Sequence, residues 1–347
     1  TYQQGLKWAE EPGAPILRGA ADMYVGMSAI QREHNDLKTA TQHLLTSQAL
    51  GELASLPQNP YRWRAAMARI KQAQGDLDGA LQLLEDAERV YDANFSPNVR
   101  PIATRKTRVW IAQGRLGEAL RWARDQGLSA DDELSYLHEY DHITLVRVLL
   151  ALYQNDPTSH SIQDAMRLLE RLLKAAEERG EMGSVIEIWI LQAMAYHAQG
   201  NLPDALLSIQ QALALAEPQG YVRIFLDEGQ SMMEMLREAS ASGIMPDYTG
   251  ILLAAFESEK VKCADKQDIS SAIPEGHRNG QPLVERLSQR ELEVLKLLRS
   301  DLSGPEIALQ LSVSINTFRT HTKNIFIKLE VNDRRAAVRR AEELDLI

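Results

Sequence analysis

The sequence predicts an all-α protein in two parts, a long stack of helix pairs followed by a short module of four helices. Three observations predict this class. A short turn sequence recurs at steps of about 40 residues, the apolar residues around it follow helical spacing, and the composition changes after Phe256. No segment of useful length alternates apolar and polar residues as a half-buried strand does. We therefore expect no β-sheet.

The recurring turn sequence reads Ala-Gln-Gly, then Leu two residues after the Gly and Ala three residues after the Leu. It occurs at 73–80, 112–119 and 198–205, with looser copies ending at 40 and 165. The closing alanines are therefore 40, 39, 46 and 40 residues apart. We interpret each copy as a turn between two helices, in which Gly provides the left-handed cap. The Ala permits a close approach where a larger side chain would not fit.

The apolar residues that follow each turn recur at intervals of three and four. After the second turn they are Leu77, Ala80, Leu81, Leu84 and Ala87, which is the pattern of one helix face. About five helix pairs over residues ~20–220 predict an α-solenoid of tetratricopeptide type. We assign residues 1–257 to this solenoid, with repeats longer than the standard length.

Five large aromatic residues fall on the first helix of their pairs. First helices usually line the inner surface of such a superhelix, so these side chains are candidates for binding an effector or partner. They are Trp63, Trp110, Tyr140, Trp189 and Tyr196. The alternative is that they pack the core and that the solenoid is purely a protein-interaction scaffold.

Composition excludes several classes of protein. The 347 residues exceed one ordinary domain, and no apolar stretch reaches the length that spans a bilayer. The chain shows no signal peptide, and its lone Cys263 permits neither an internal disulfide nor a cysteine zinc cage. We expect a cytoplasmic protein without membrane contact, and the start at Thr1 suggests a piece of a longer chain.

Residues 138–142 match the H-E-x-x-H pattern of zinc peptidases. On one helix face, His138 and His142 would chelate zinc and Glu139 would act as the general base. The segment belongs to a repeat without a cleft of its own, and Leu145 stands where the longer motif needs Gly. Zinc catalysis stays a remote alternative. We assign no catalytic or metal-binding residue, because phosphate-loop, dinucleotide and hydrolase signatures are absent from the sequence.

Residues 258–282 become polar and gain Pro and Gly, which predicts a flexible linker before a domain at 283–347. Capping boxes at 288–291 and 303–306 open two helices, and Ser314 caps a third. A fourth begins after Asn332. Four short helices with a tight turn between the second and third describe a helix-turn-helix module.

The third helix has two chemically distinct faces. With Arg319 at 0° and 100° per residue, Lys323 and Thr320 lie within about 100° of it. Residues 318, 321, 325 and 329 lie between about 200° and 280° and are mostly apolar. Residues 314–328 contain no acidic side chain. An apolar back and a cationic front suit insertion into a DNA major groove.

The charge of the chain divides unevenly between its two parts. The whole sequence has a formal net charge of −10, which taken alone suggests a poor nucleic-acid binder. Residues 283–347 carry 11 basic and 10 acidic residues, so their net charge is +1. The remaining 27 basic and 38 acidic residues leave −11 on the solenoid and linker.

Residues 287–347 resemble the LuxR-type helix-turn-helix of bacterial transcription regulators. The resemblance rests on residues throughout the module: Leu287-Ser288-Gln289-Arg290-Glu291, Val294-Leu295, Leu302-Ser303, Glu306-Ile307-Ala308, Leu311, Val313-Ser314, Thr317, His321, Ile325, Lys328-Leu329, Val331, Arg334, Ala336-Ala337-Val338, Ala341 and Leu346-Ile347. Residues 220–229 and 139–149 are similar to phrases in the repeats of the large MalT-like, ATP-dependent LuxR regulators.

This resemblance implies a sequence-specific transcription activator that senses an effector and self-associates on paired half-sites. The implied base contacts are Arg319, Thr320 and Lys323, and the implied phosphate contacts are Ser314, Asn316, Thr317, Lys328 and Arg334. It also implies double-stranded DNA and RNA polymerase as partners. ATP is expected for an N-terminal switch domain of a longer parent protein, and no cofactor is expected in this chain.

Overall fold

A computed structural model describes residues 2–9, 17–91, 98–271, 289–300, 302, 304–311, 322, 325–326, 329, 331 and 334–343. These residues contain helices and no strand, which confirms the all-α prediction. The chain divides into two compact units, residues 1–271 and 272–347. None of the helices in the described ranges is both long and apolar enough to cross a bilayer.

The first unit contains the predicted helix pairs. Its helices are α1 Tyr2–Ala9, α2 Ala20–Glu33, α3 Leu37–Leu50, α4 Asn59–Ala73, α5 Leu77–Arg89, α6 Ile102–Ala112, α7 Leu116–Asp125, α8 Glu139–Asn155, α9 Ser161–Arg179, α10 Met182–Ala198, α11 Leu202–Ala216, α12 Arg223–Leu226, α13 Gln230–Ala241 and α14 Pro246–Ser271. Within residues 17–91 and 98–271, the helices from α2 to α11 form five consecutive pairs. This confirms the solenoid.

The turns between paired helices have the predicted geometry. Gly75, Gly114 and Gly200 adopt φ angles of 81°, 73° and 74°, in the left-handed region that glycine tolerates. Asn35 takes the same role in the first copy with φ 62°. The closing alanines at 40, 80, 119, 165 and 205 are all fully buried, which confirms that they mark close helix contacts.

The solenoid returns to its starting point, because α12 packs beside α2. The Val222 N–H donates to the Glu33 carbonyl at 2.8 Å. The buried Arg32 guanidinium donates to Asp227 at 2.5 Å, and Asp227 also accepts from Arg223 at 2.6 Å. Hydrogen bonds and ion pairs therefore join the last turn of the superhelix to the first.

The linker prediction placed the end of the helical region too early. Residues 258–271 are helical as the end of α14, and Glu259 pairs with Arg223. This stretch lacks Pro and Gly, so nothing in its sequence stops the helix. The rest of the predicted linker, residues 272–282, lies outside the described residues.

The second unit has its own small apolar core. Its described helices are α15 Gln289–Leu298, α16 Gly304–Gln310 and α17 Arg334–Glu343. The buried residues shared among these elements and the segment before α17 are Val294, Leu295, Leu298, Ile307, Ile325, Leu329, Ala337 and Ala341. These contacts are those of a compact helical module.

Enlarging one of the closing alanines should destabilise the solenoid. Ala165 is fully buried where α9 packs in the core, so Ala165→Leu forces neighbouring side chains out of place. We expect a loss of about 1–3 kcal/mol in the free energy of unfolding. All five tryptophans lie before residue 272, so their fluorescence during urea unfolding reports on the solenoid. Ala49→Leu, at an exposed position, should change stability by less than about 0.5 kcal/mol.

Candidate nucleic-acid interface and central cavity

The helix-turn-helix module buries the apolar back of its predicted recognition helix. Ile325 and Leu329 have 0% and 1% of their surface exposed and lie in the core with α15, α16 and α17. This confirms the inward direction that helical periodicity gave to these two residues. The face opposite them is the one predicted to carry Arg319 and Lys323.

Seven of the eight predicted DNA contacts lie outside the described residues: Ser314, Asn316, Thr317, Arg319, Thr320, Lys323 and Lys328. Their roles stay predictions from the sequence and its resemblance.

Arg334 is placed, and its guanidinium is engaged within the module. It donates to three backbone carbonyls, those of Leu298 at 2.8 Å, Ser300 at 2.5 Å and Leu302 at 2.7 Å. Arg334 therefore ties the start of α17 to the segment between α15 and α16. The phosphate contact predicted for Arg334 stays untested, whereas this structural role comes directly from the geometry.

Removing this side chain should loosen the module. Arg334→Ala leaves three carbonyls without their charged donor, and a hydrogen bond to a charged group contributes about 1.5–3 kcal/mol. We expect faster amide hydrogen exchange across residues 289–343, with no change in the solenoid. Arg339→Ala, at an exposed position on the same helix, should leave exchange unchanged. Equal exchange in the two variants would show that the three hydrogen bonds contribute nothing.

The first unit contains a cavity of about 780 Å³ that is open to solvent. Its walls come mainly from the first helices of the pairs, α2, α4, α6, α8 and α10, together with residues around α12. This confirms that the first helices face inward. Of the five predicted effector-binding aromatics, Tyr140 lines the cavity.

The other four aromatic side chains pack between helices. The Trp63 indole N–H donates to the Leu44 carbonyl at 2.7 Å, which fixes the ring against the second helix of the preceding pair. Trp110, Trp189 and Tyr196 pack against the buried core residues of the middle and last repeats. Nothing in these positions tests ligand binding, so the aromatic assignment remains a prediction.

Half-buried ion pairs run along the cavity wall. Arg147 donates to both carboxylate oxygens of Glu228, at 2.6 and 2.8 Å, and to Glu187 at 2.8 Å. Glu187 also accepts from Arg108 at 2.7 Å, so one carboxylate joins three repeats. Where the first and last turns of the superhelix meet, the Glu33 carboxylate accepts a hydrogen bond from the Arg69 guanidinium at 2.6 Å.

Sequence reasoning missed these charged residues. A signal was present, because Arg69, Arg108 and Arg147 are each 39 residues apart, which matches the repeat length. Glu187 and Glu228 follow at steps of 40 and 41. A charged residue recurring at the repeat spacing on inward-facing helices is what a line of ion pairs requires.

These ion pairs make the solenoid sensitive to acid. Burial alone would raise the pKa of Glu187, but Arg108 and Arg147 lower it from 4.5 to about 2. Arg32 and Arg223 likewise lower the pKa of Asp227 from 3.8 to about 2. A carboxyl group whose pKa is lower in the folded than in the unfolded chain stabilises the fold at pH values above its unfolded pKa. This stabilisation is lost as the pH falls through the folded pKa. We expect the free energy of unfolding, followed by tryptophan fluorescence, to fall between pH 4.5 and about 2. Glu187→Gln should make this fall shallower, and an equally steep fall would contradict the assignment.

The side chains of the H-E-x-x-H segment form hydrogen bonds within the solenoid. His138 ends a 3-10 turn and α8 begins at Glu139, so the two histidines do not share a regular helix face. The buried His142 ring lies 2.9 Å from the His138 carbonyl and 3.3 Å from Asp132, and Glu139 accepts from Ser184. Among the described residues, no three His, Cys, Asp or Glu side chains are arranged to hold a metal ion.

Two family models cover most of the chain. Residues 1–242 match the MalT-like TPR region, and residues 285–341 match the bacterial regulatory proteins of the luxR family. The chain is also 26% identical over 303 residues to the HTH-type transcriptional regulator MalT of Cronobacter sakazakii. That alignment covers 83% of this chain and 32% of the relative, so the chain spans about a third of the length of this curated relative.

Proposed function

Because the chain belongs to the MalT-like regulators of the LuxR family, we propose that it is a DNA-binding transcription regulator controlled through its solenoid. The observation that supports this best is the pairing of the two matched regions in one chain, a repeat region with an internal cavity and a helix-turn-helix module. We further propose that it acts as an activator in the cytoplasm, in contact with RNA polymerase.

The DNA-binding part of the proposal rests on the module. Ile325 and Leu329 of the predicted recognition helix lie in the core, and the sequence predicts a cationic side opposite them that enters a major groove. One module makes few base contacts, so useful affinity requires two copies on paired half-sites. The acidic solenoid, by contrast, disfavours contact with the DNA backbone.

Fluorescence anisotropy of the full chain on labelled duplexes tests this part. We expect affinity to fall steeply as salt rises from about 50 to 200 mM, because binding releases counterions from the DNA. We also expect the fitted stoichiometry to be two chains on a duplex with paired sites. Absence of binding at low salt would reject the DNA-binding proposal.

The sensing part of the proposal rests on the cavity. A volume of about 780 Å³ lies in the range of small-molecule sites. The cavity wall includes α2 and residues around α12, so the cavity lies beside the contacts that join the two ends of the superhelix. We propose that an effector in this cavity changes the closure of the solenoid and thereby self-association.

Screening a metabolite library by thermal shift, beside a pull-down, distinguishes an effector from a protein partner. A ligand at about 100 times its Kd stabilises the folded chain by about 2.7 kcal/mol. A saturable rise in the tryptophan-detected Tm supports a small effector. A protein partner captured in the absence of any stabilising metabolite supports the scaffold alternative.

A further inference from the structure

We propose that the central cavity binds the anionic group of a small molecule, a carboxylate or a phosphoryl group, at three arginines beside Tyr140. This anion site consists of Arg100, Arg105, Arg108 and Tyr140. The inference rests on the proposed sensing role of the solenoid and goes beyond it, because it names the chemical class of the effector and the side chains that hold it.

Two of the three arginines lie over one aromatic ring. The guanidinium carbon of Arg108 lies 3.9 Å from the Tyr140 ring centroid, and that of Arg100 lies 5.5 Å away. Arg105 precedes Arg108 by one turn of α6, and all four residues line the cavity. Stacking on the ring offsets part of the repulsion among like charges, and an anion would offset the rest.

The hydrogen-bond donors of this cluster outnumber its acceptors. Arg108 donates to Thr144 at 2.8 Å and to Glu187 at 2.7 Å, while its buried Nη2 has no acceptor. Arg105 donates through Nε to the Arg100 carbonyl at 3.1 Å. Within the described part of the chain, no carboxylate oxygen lies within 4 Å of a side-chain nitrogen of Arg100 or Arg105. Their free, planar N–H groups match a carboxylate or phosphoryl group.

The other cavity arginines differ in this respect. Arg32, Arg69 and Arg147 each form ion pairs with carboxylates of the chain, so their charge is compensated. Arg108 likewise pairs with Glu187, so the uncompensated positive charge of the anion site lies on Arg100 and Arg105. The pKa directions agree with this placement. Burial raises the pKa of the Tyr140 hydroxyl, but Arg108, Arg105 and Arg100 together bring it below its ordinary value.

Isothermal titration calorimetry on the full chain tests the site with two probes, pyrophosphate for a phosphoryl group and citrate for carboxylates. All titrations use one ionic strength, set with NaCl, so that general screening is constant. We expect saturable binding of at least one probe. Each lost arginine removes charge-assisted hydrogen bonds, so Arg100→Gln and Arg105→Gln should each weaken binding by about tenfold.

The matched control is Arg124→Gln, which removes the same charge from an exposed position on α7 outside the cavity. It should bind the probes as the unmodified chain does. Arg100 is exposed, so Arg100→Gln keeps the fold even if Arg105→Gln does not. Tryptophan-detected melting of each variant checks this.

Three results would overturn the anion site. They are the absence of saturable binding of both probes, equal affinity in Arg100→Gln and the unmodified chain, and an equal loss in Arg124→Gln. A neutral metabolite that stabilises the chain while both probes fail would remove the anion site and leave the sensing role standing. Failure of DNA binding in the anisotropy experiment concerns the proposed function alone.

Discussion

Replacing Arg319 and Lys323 together with alanine should remove sequence-specific DNA binding and leave the fold intact. Both residues are predicted on the cationic front of the recognition helix, opposite the buried Ile325 and Leu329. Arg pairs with guanine through two hydrogen bonds and Lys does so less rigidly, and each good base contact contributes about 1–3 kcal/mol of discrimination. We expect the double variant to bind a selected site at least about 100-fold more weakly in an anisotropy titration.

The control for this variant is Arg339→Ala, which removes a positive charge from an exposed position on α17. Arg339→Ala should retain the preference for the selected site over a scrambled duplex, and melting should show all variants folded. Unchanged specificity in Arg319→Ala/Lys323→Ala would reject the assigned face of the helix. A parallel loss in Arg339→Ala would show that net charge, rather than base contact, determines binding.

Replacing Arg147 with Met should be the most damaging single change in the solenoid. Arg147 is 18% exposed and its partner Glu228 is 5% exposed, so the Glu228 carboxylate would be left without its cation in a poorly solvated site, whereas Glu187 would keep Arg108. Removing one partner of a buried ion pair lowers the free energy of unfolding by about 3–5 kcal/mol. We expect a loss of this size in the free energy of unfolding, measured from the urea dependence of tryptophan fluorescence.

Removing the unpaired carboxylate as well should restore much of the stability. Arg147→Met/Glu228→Gln removes the carboxylate that loses its cation and keeps the Arg108–Glu187 ion pair, so the double variant should unfold at a higher urea concentration than Arg147→Met. Arg124→Met, at an exposed position, should change stability by less than about 0.5 kcal/mol. A double variant no more stable than Arg147→Met would show that lost packing, not unpaired charge, causes the destabilisation.

The parts of the fold that depend on local rules were predictable from the sequence. Gly75 and Gly114 adopt a left-handed backbone conformation to end a helix, and Ala80 and Ala119 must be small where helices touch. Each requirement restricts the residue type at its position and is therefore visible in the sequence. The end of α14 was placed wrongly because polar residues suggested a linker. Glu and Lys also favour helices, and Glu259 is held by Arg223, which is distant in sequence.

The cavity was less predictable because its contacts join distant repeats. Arg147 and Glu228 are 81 residues apart, and Arg32 and Asp227 are 195 residues apart. Helical periodicity identifies the face on which a residue lies but not which residues meet across a superhelix. For the same reason Tyr140 reaches the cavity, whereas Trp63, also on a first helix, turns toward the Leu44 carbonyl between helices.

Selecting bound duplexes from a random DNA pool with the full chain tests the central claim most directly, because the selection itself identifies the operator sequence. Dimers that read two half-sites should enrich one motif repeated with a fixed spacing near a whole number of helical turns. The Arg319→Ala/Lys323→Ala variant should enrich none. Failure of the unmodified chain to enrich any motif, with binding equal across the pool, would contradict the assignment of this chain as a sequence-specific regulator.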